Sequence, residues 1–196
     1  MKIDFAIPDD GQSHSYCIAC NAEKIESFYI GGNYHYRCMI CGRISPRIIH
    51  ADKSEVWWID KNTRDFWHES IGMFLFNRER RILLFKRVIY PFVYTIPAGH
   101  LGVGENPLEA AIREVKEETG IILDSARLVS EEDIAGDECK WGADHHRWHL
   151  YEAEIANDTQ FKINSEGNQG GWHDLKAALR LELTKPTRYF IEKYFL

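Results

Sequence analysis

The chain has 196 residues, 30 acidic against 24 basic side chains, a formal net charge of −6 and 44% hydrophobic residues. That apolar content sustains a packed core and excludes a disordered chain. The acidic balance makes nucleic acid an unexpected partner, although a nucleotide can still be held through a cation. No apolar run reaches the length of a bilayer span, and the first twelve residues lack the basic-then-apolar order of a secretory signal. The expected location is therefore cytoplasmic, with no membrane partner.

In a reducing location, five cysteines are metal ligands or free thiols rather than disulfides. Four of them form two pairs, Cys17-Ile-Ala-Cys20 and Cys38-Met-Ile-Cys41, with Gly42 directly after the last. Two such knuckles suit a tetrahedral Zn²⁺ with four thiolates, and a closed site of this kind stabilises folding rather than catalysing. Cys139 stands alone and reads as a core or surface thiol. Composition changes near residue 52, dividing the chain into a zinc-ribbon module, 1–52, and a larger α/β unit, 53–196. The tight step between them predicts a packed attachment, not a tethered one.

Beyond the boundary, 70–76 and 81–86 read as strands joined by a polar turn, and 93–96 as a third strand. Pro107–Thr119 reads as a helix, with Asn106 as N-cap, Pro107 at the first helical position and Gly120 as the stop. Residues 148–155 alternate like a strand, and 174–181 and 184–194 look helical.

On helix 107–119, Leu108, Ala111, Ile112 and Val115 form an apolar stripe, and Glu114, Glu117 and Glu118 share an adjacent face. Arg113 and Lys116 are expected to point away from the middle of this acidic cluster. The plain reading is a solvated face. The functional one is a site for Mg²⁺, which takes carboxylate oxygens and keeps waters for a phosphate to displace. Glu105 ahead of the helix, the glycines at 99, 102 and 104, and a helix N-terminus that favours anions support the second reading.

Gly99, Glu105 and the run Arg113-Glu114-Val115-Lys116-Glu117-Glu118-Thr119-Gly120-Ile121 match every defined position of the Nudix box. On these residues the chain resembles the Nudix hydrolases, over roughly 53–196. The resemblance implies an α/β/α sandwich around a mixed sheet. It also implies Mg²⁺-dependent hydrolysis of the pyrophosphate bond in a nucleoside diphosphate linked to another moiety, of the ADP-ribose, NADH or nucleotide-sugar type. Glu114, Glu117 and Glu118 would hold Mg²⁺ or Mn²⁺ with the carbonyl of Gly99, Arg113 would orient a carboxylate of the box, and Glu105 would support the loop. The general base is either Glu114 or a glutamate on a later loop, where Glu166 stands shortly before Trp172. Relatives are often dimers, so a homodimer is compatible with this reading.

A ribbon ahead of such a domain resembles the NADH pyrophosphatases and related ribbon-bearing Nudix proteins. The Ser-Gln-Pro-Trp-Pro-Phe-Pro-like motif that the NADH enzymes carry after the box has no match between Ile122 and His149. The stretch 67–105 also resembles isopentenyl diphosphate isomerases, but those need a cysteine on the approach to the box, and 94–97 has none. A nucleotide-binding regulator on the same fold, its ribbon contacting a partner, would have no need of all the carboxylates. Trp141-Gly-Ala-Asp-His-His-Arg-Trp-His149 reads either as a substrate loop, with Arg147 or a histidine on phosphate, or as a loop feeding a strand whose Trp148 packs inward.

Overall fold

The computed structural model describes residues 1–156 and 159–196. The N-terminal module holds β1 (His14–Tyr16), β2 (Ile25–Ile30), β3 (Asn33–Cys38), β4 (Ile44–Ser45) and β5 (Ile49–Ala51). Strands β2, β3 and β4 form an antiparallel sheet, and β1 pairs with β5. Gly31 and Gly32 join β2 to β3 with φ of 61° and 84°, the left-handed pair that a tight hairpin turn requires.

The larger unit contains β6 (Trp57–Ile59), β7 (Phe66–Asn77), β8 (Ile82–Arg87), β9 (Tyr94–Thr95), β10 (Ala98–His100), α1 (Pro107–Thr119), β11 (Arg127–Ala135), β12 (His145–Ile155), β13 (Gly167–His173), α2 (Leu175–Ala178) and α3 (Lys185–Phe190). Helix α3 runs into a π-helical turn, Ile191–Phe195. The sheet order is β11-β12-β7-β8-β13, with β6 and β10 on β7 and β9 on β8. Strand β12 runs parallel to β7 while the other pairs are antiparallel, so the sheet is mixed.

Strand β7 explains the layering. Every residue from Ser70 to Asn77 is buried, as a central strand covered on both faces must be. Ile71, Met73 and Leu75 pack with Ala110, Ala111 and Val115 of α1, whereas Phe74 and Phe76 pack with Ala178, Phe190 and Ile191. Alternate side chains thus meet α1 on one side and α2, α3 on the other, giving the α/β/α sandwich.

The helix expected over 174–181 closes early. Asp174 caps α2, but the amides of Arg180 and Leu181 turn back to the carbonyls of Ala177 and Ala178 (3.1 and 2.9 Å). Arg188 then takes the carbonyls of Leu179 and Leu181, both at 3.1 Å. The strand expected over 148–155 begins three residues earlier, and β10, β11 and β13 add pairings that the sequence reading lacked.

The first 52 residues lie directly against the rest. Ile3, Tyr16 and Ile49 share a core with Phe66 and Ala143, and partly buried Trp57 packs on it. Ile3 donates to the Arg64 carbonyl and Phe66 to that of Met1, both at 2.9 Å. The amides of Ile48 and His50 donate to the carbonyls of Lys140 and Trp141, each at 3.0 Å.

Candidate active site

Caps at both ends set the position of α1. Asn106 Oδ1 accepts from the amides of Leu108 and Glu109 (2.9 and 3.4 Å), and the Gly120 amide closes the C-terminus on the Lys116 carbonyl. With the apolar stripe fixed on β7, the helix turns Glu118 inward, only 5% exposed, and its Oε2 accepts the Ala98 N–H at 2.8 Å. Burial, reinforced by Glu114, pushes the Glu118 carboxyl up to about 8. Burial also raises Glu114, against the pull of Arg113. Two acids this reluctant to ionise alone fit a site that a cation completes.

Gly99 leaves room for the carboxylate beside it. A Cβ there would stand 2.3 Å from the carboxyl of Glu114 and would make that carboxylate shift. Arg113 corrects the expectation that it points away from the cluster. Its Nε and Nη2 donate to the two oxygens of Glu105 (2.8 and 3.0 Å), and its Nη1 lies between Glu114 Oε1 (2.6 Å) and Glu117 Oε2 (3.3 Å). Glu105 in turn accepts from the Gly102 amide at 3.2 Å. One guanidinium therefore ties the loop before the helix to two of its glutamates, and the three box carboxylates line a wall rather than closing into a cage.

That wall belongs to a cavity of about 400 Å³, which Gly99, Glu114, Glu117 and Glu118 share with Arg87, Lys140, Trp141 and Glu166. Glu166 Oε1 accepts from Lys140 Nζ at 3.2 Å. Arg87 donates Nη2 to the Tyr90 carbonyl (3.2 Å), while its buried Nε has no hydrogen-bond partner among the described residues. Neither Arg87 nor Lys140 stands in a motif, and the sequence reading missed both. Arg147, its candidate for a phosphate contact, pairs instead with Asp133 (2.8 and 3.1 Å) and does not line the cavity. Trp148 packs inward and is buried, yet both it and Trp141 line the cavity, the Trp141 ring 4.4 Å from that of His50.

The four ribbon cysteines bring their sulfurs within 4.8 Å of one another, with Cys17 to Cys41 at 3.7 Å and Cys20 to Cys38 at 3.6 Å. A tetrahedron of thiolates around Zn²⁺ has edges of about 3.8 Å, so the set fits that ion. Cys139 is not alone: its sulfur lies 3.7 Å from His68 Nδ1, beside His100 and His146.

The family model of the NUDIX domain matches residues 67–194. Over 65 residues the chain is 35% identical to Nudix hydrolase 25 of Arabidopsis thaliana, covering 33% of this chain and 36% of that protein. Over another 65-residue match it is 37% identical to the ADP-ribose pyrophosphatase of Methanocaldococcus jannaschii, covering 32% and 38%. These matches span only a little over a third of the relatives' own length. A C. elegans Ap4A hydrolase superposes with a TM-score of 0.55 at 22% identity, over 65% of this chain and 95% of that one, a likeness of fold. With the domain match running from β7 through the C-terminal helices and the whole box inside it, the chain belongs to the NUDIX family.

Proposed function

We propose that the chain is a Mg²⁺-dependent pyrophosphohydrolase cleaving the pyrophosphate bond of a nucleoside diphosphate linked to another moiety. The observation that carries this reading is the meeting of Gly99, Glu114, Glu117 and Glu118 with Arg87, Lys140 and Glu166 on one cavity. The three box glutamates and the Gly99 carbonyl would hold Mg²⁺ or Mn²⁺, which when bound neutralises the diphosphate and lowers the pKa of a coordinated water. Arg87 and Lys140 bind phosphate oxygens and orient the diphosphate. Glu114 is engaged by Arg113, so Glu166, half-exposed and bonded to Lys140, is the better placed base. It takes the proton of the attacking water as the bond to the bridging oxygen breaks and a nucleoside monophosphate leaves.

Trp141 offers an aromatic face at the cavity for a base. The ribbon cysteines hold a structural Zn²⁺. An isomerase would need a cysteine on the approach to the box, and the thiol that reaches the cavity, Cys139, is turned to His68 instead. Among the described residues no helix is long and apolar enough to cross a membrane.

The test is incubation with Mg²⁺ and a panel of ADP-ribose, NADH, nucleotide sugars and nucleoside triphosphates. Release of nucleoside monophosphate from a member with a linked diphosphate supports the reading. Silence across the panel, with tight binding of one ligand, would overturn it in favour of a regulator.

A further inference from the structure

Four side chains from four separate segments meet at the cavity, and three of them, His100, Cys139 and His146, are on its lining. His68 comes from β7, His100 from β10, Cys139 from the segment after β11, and His146 from β12; each presents one ligand atom, all within 4.8 Å of one another. His68 Nδ1 lies 3.2 Å from His100 Nε2 and 3.7 Å from Cys139 Sγ. A tetrahedral Zn²⁺ with nitrogen at about 2.05 Å and sulfur at about 2.3 Å sets N···N and N···S edges of about 3.3 and about 3.6 Å. The rings of His68 and His100 stand at 81°, and those of His100 and His146 lie parallel but 5.9 Å apart.

The surroundings are those of a metal ligand set. His68 and His146 are 1% and 2% exposed, and His68 turns its Nδ1 to His100 and Cys139. Gathering three imidazoles and a thiol out of water has a high cost unless something binds them. Behind His100, Glu55 Oε2 lies 2.9 Å from Nδ1; behind His146, Asp137 Oδ2 lies 3.1 Å from Nδ1. Asp137 is itself fixed by Trp148 Nε1 at 2.8 Å. These carboxylates face the two rings by charge rather than through a hydrogen bond, since Glu55 Oε2 and His146 Nδ1 have no hydrogen-bond partner among the described residues, and His100 keeps Nε2 towards His68.

We propose that His68, His100, Cys139 and His146 form a second, closed Zn²⁺ site, separate from the box carboxylates and from the ribbon cysteines. The mixed nitrogen and sulfur donors select Zn²⁺ over Mg²⁺, which takes oxygen, and four protein ligands leave no open position for catalysis. The ion fastens the segment carrying Lys140 and Trp141 to β7, β10 and β12, and so fixes one wall of the cavity.

Zinc content of the full chain, after dialysis against excess Mg²⁺ to clear the carboxylates, tests the site independently of any substrate. Two Zn²⁺ per chain are expected, falling by one in Cys139→Ser and in His146→Gln. Variants that hold as much zinc as the wild type overturn the proposal. Where a variant fails to fold, the wild-type count decides: two supports the site, and one or none overturns it.

Discussion

Replacing Glu118 by glutamine should separate the needs of the fold from those of the reaction. Glutamine keeps the volume and an oxygen for the Ala98 N–H, so the local geometry survives. The carboxyl is different in kind, because burial and Glu114 hold it at about 8 in the folded chain against an ordinary 4.5. The folded state therefore binds this proton more tightly than the unfolded one, and the metal-free protein loses stability as pH rises from about 4.5 to about 8. At pH 7 the loss is at most about 3 kcal/mol. Removing half of it would raise the melting temperature in EDTA by about 3–6 °C. Turnover with Mg²⁺ should fall about 10²–10³-fold, since a group that holds the cation at the reacting diphosphate is gone. The assays are scanning calorimetry in EDTA and monophosphate release under saturating Mg²⁺. Retained turnover, or a variant that melts below the wild type in EDTA, would refute the reasoning.

Gly99→Ala places a Cβ 2.3 Å from the Glu114 carboxyl and must push it off Arg113; turnover should fall about 10²-fold with an unchanged circular dichroism spectrum, and activity within threefold of the wild type would refute the fit. Lys140→Ala should raise KM about tenfold, the loss of roughly one charged hydrogen bond, with a smaller change in kcat; an unchanged KM would remove Lys140 from the substrate wall. Cys38→Ser should cost one Zn²⁺ by mass spectrometry and lower the melting temperature, and full zinc retention would sink the ribbon assignment. Lys193, Tyr194 and Tyr189 hold Glu132 down at about 2 against the upward push of burial, so its contribution is present above about 4.5 and is lost as pH falls towards 2. Discounted for solvent screening this is about 1 kcal/mol, and Glu132→Gln should lower stability at pH 7 but not at pH 2, as acid and thermal unfolding together would show.

The parts of this molecule that could be read beforehand are local. Helix α1 carries its own caps, its own apolar stripe and its box within one continuous stretch, so its bounds agree with the structure at both ends. The two CxxC pairs are likewise joined through a short hairpin. The CysHis₃ cluster had no such signal. It exists because β12 pairs in parallel with β7 in a register that sets His146 against His68, while β10 pairs with the same strand from the other edge. Arg87 and Lys140 reach the cavity by the same route, through sheet order rather than spacing. Arg113 was misjudged for a different reason. A helical face gives the direction of a Cβ, whereas a guanidinium at the end of a long side chain carries five donors and can turn back to three carboxylates at once.

The ribbon and the catalytic cavity are coupled by one short segment. Ile48 and His50, on the exit from the ribbon, bond the backbone of Lys140 and Trp141, and Arg47 donates to the carbonyls of Cys139 (3.0 Å) and Ala143 (3.1 Å). The same segment supplies a cation to the cavity through Lys140, an aromatic face through Trp141 and a thiol to the buried histidines through Cys139. A connecting segment on its own would let these groups wander, and a diphosphate site tolerates displacements of little more than half an ångström. Bonded to residues 47–50 on one side and set beside the histidine cluster on the other, the segment forms one wall of the cavity. The N-terminal module thus contacts the segment that brings Lys140 and Trp141 to the cavity, although none of its own residues lines that cavity among the described residues.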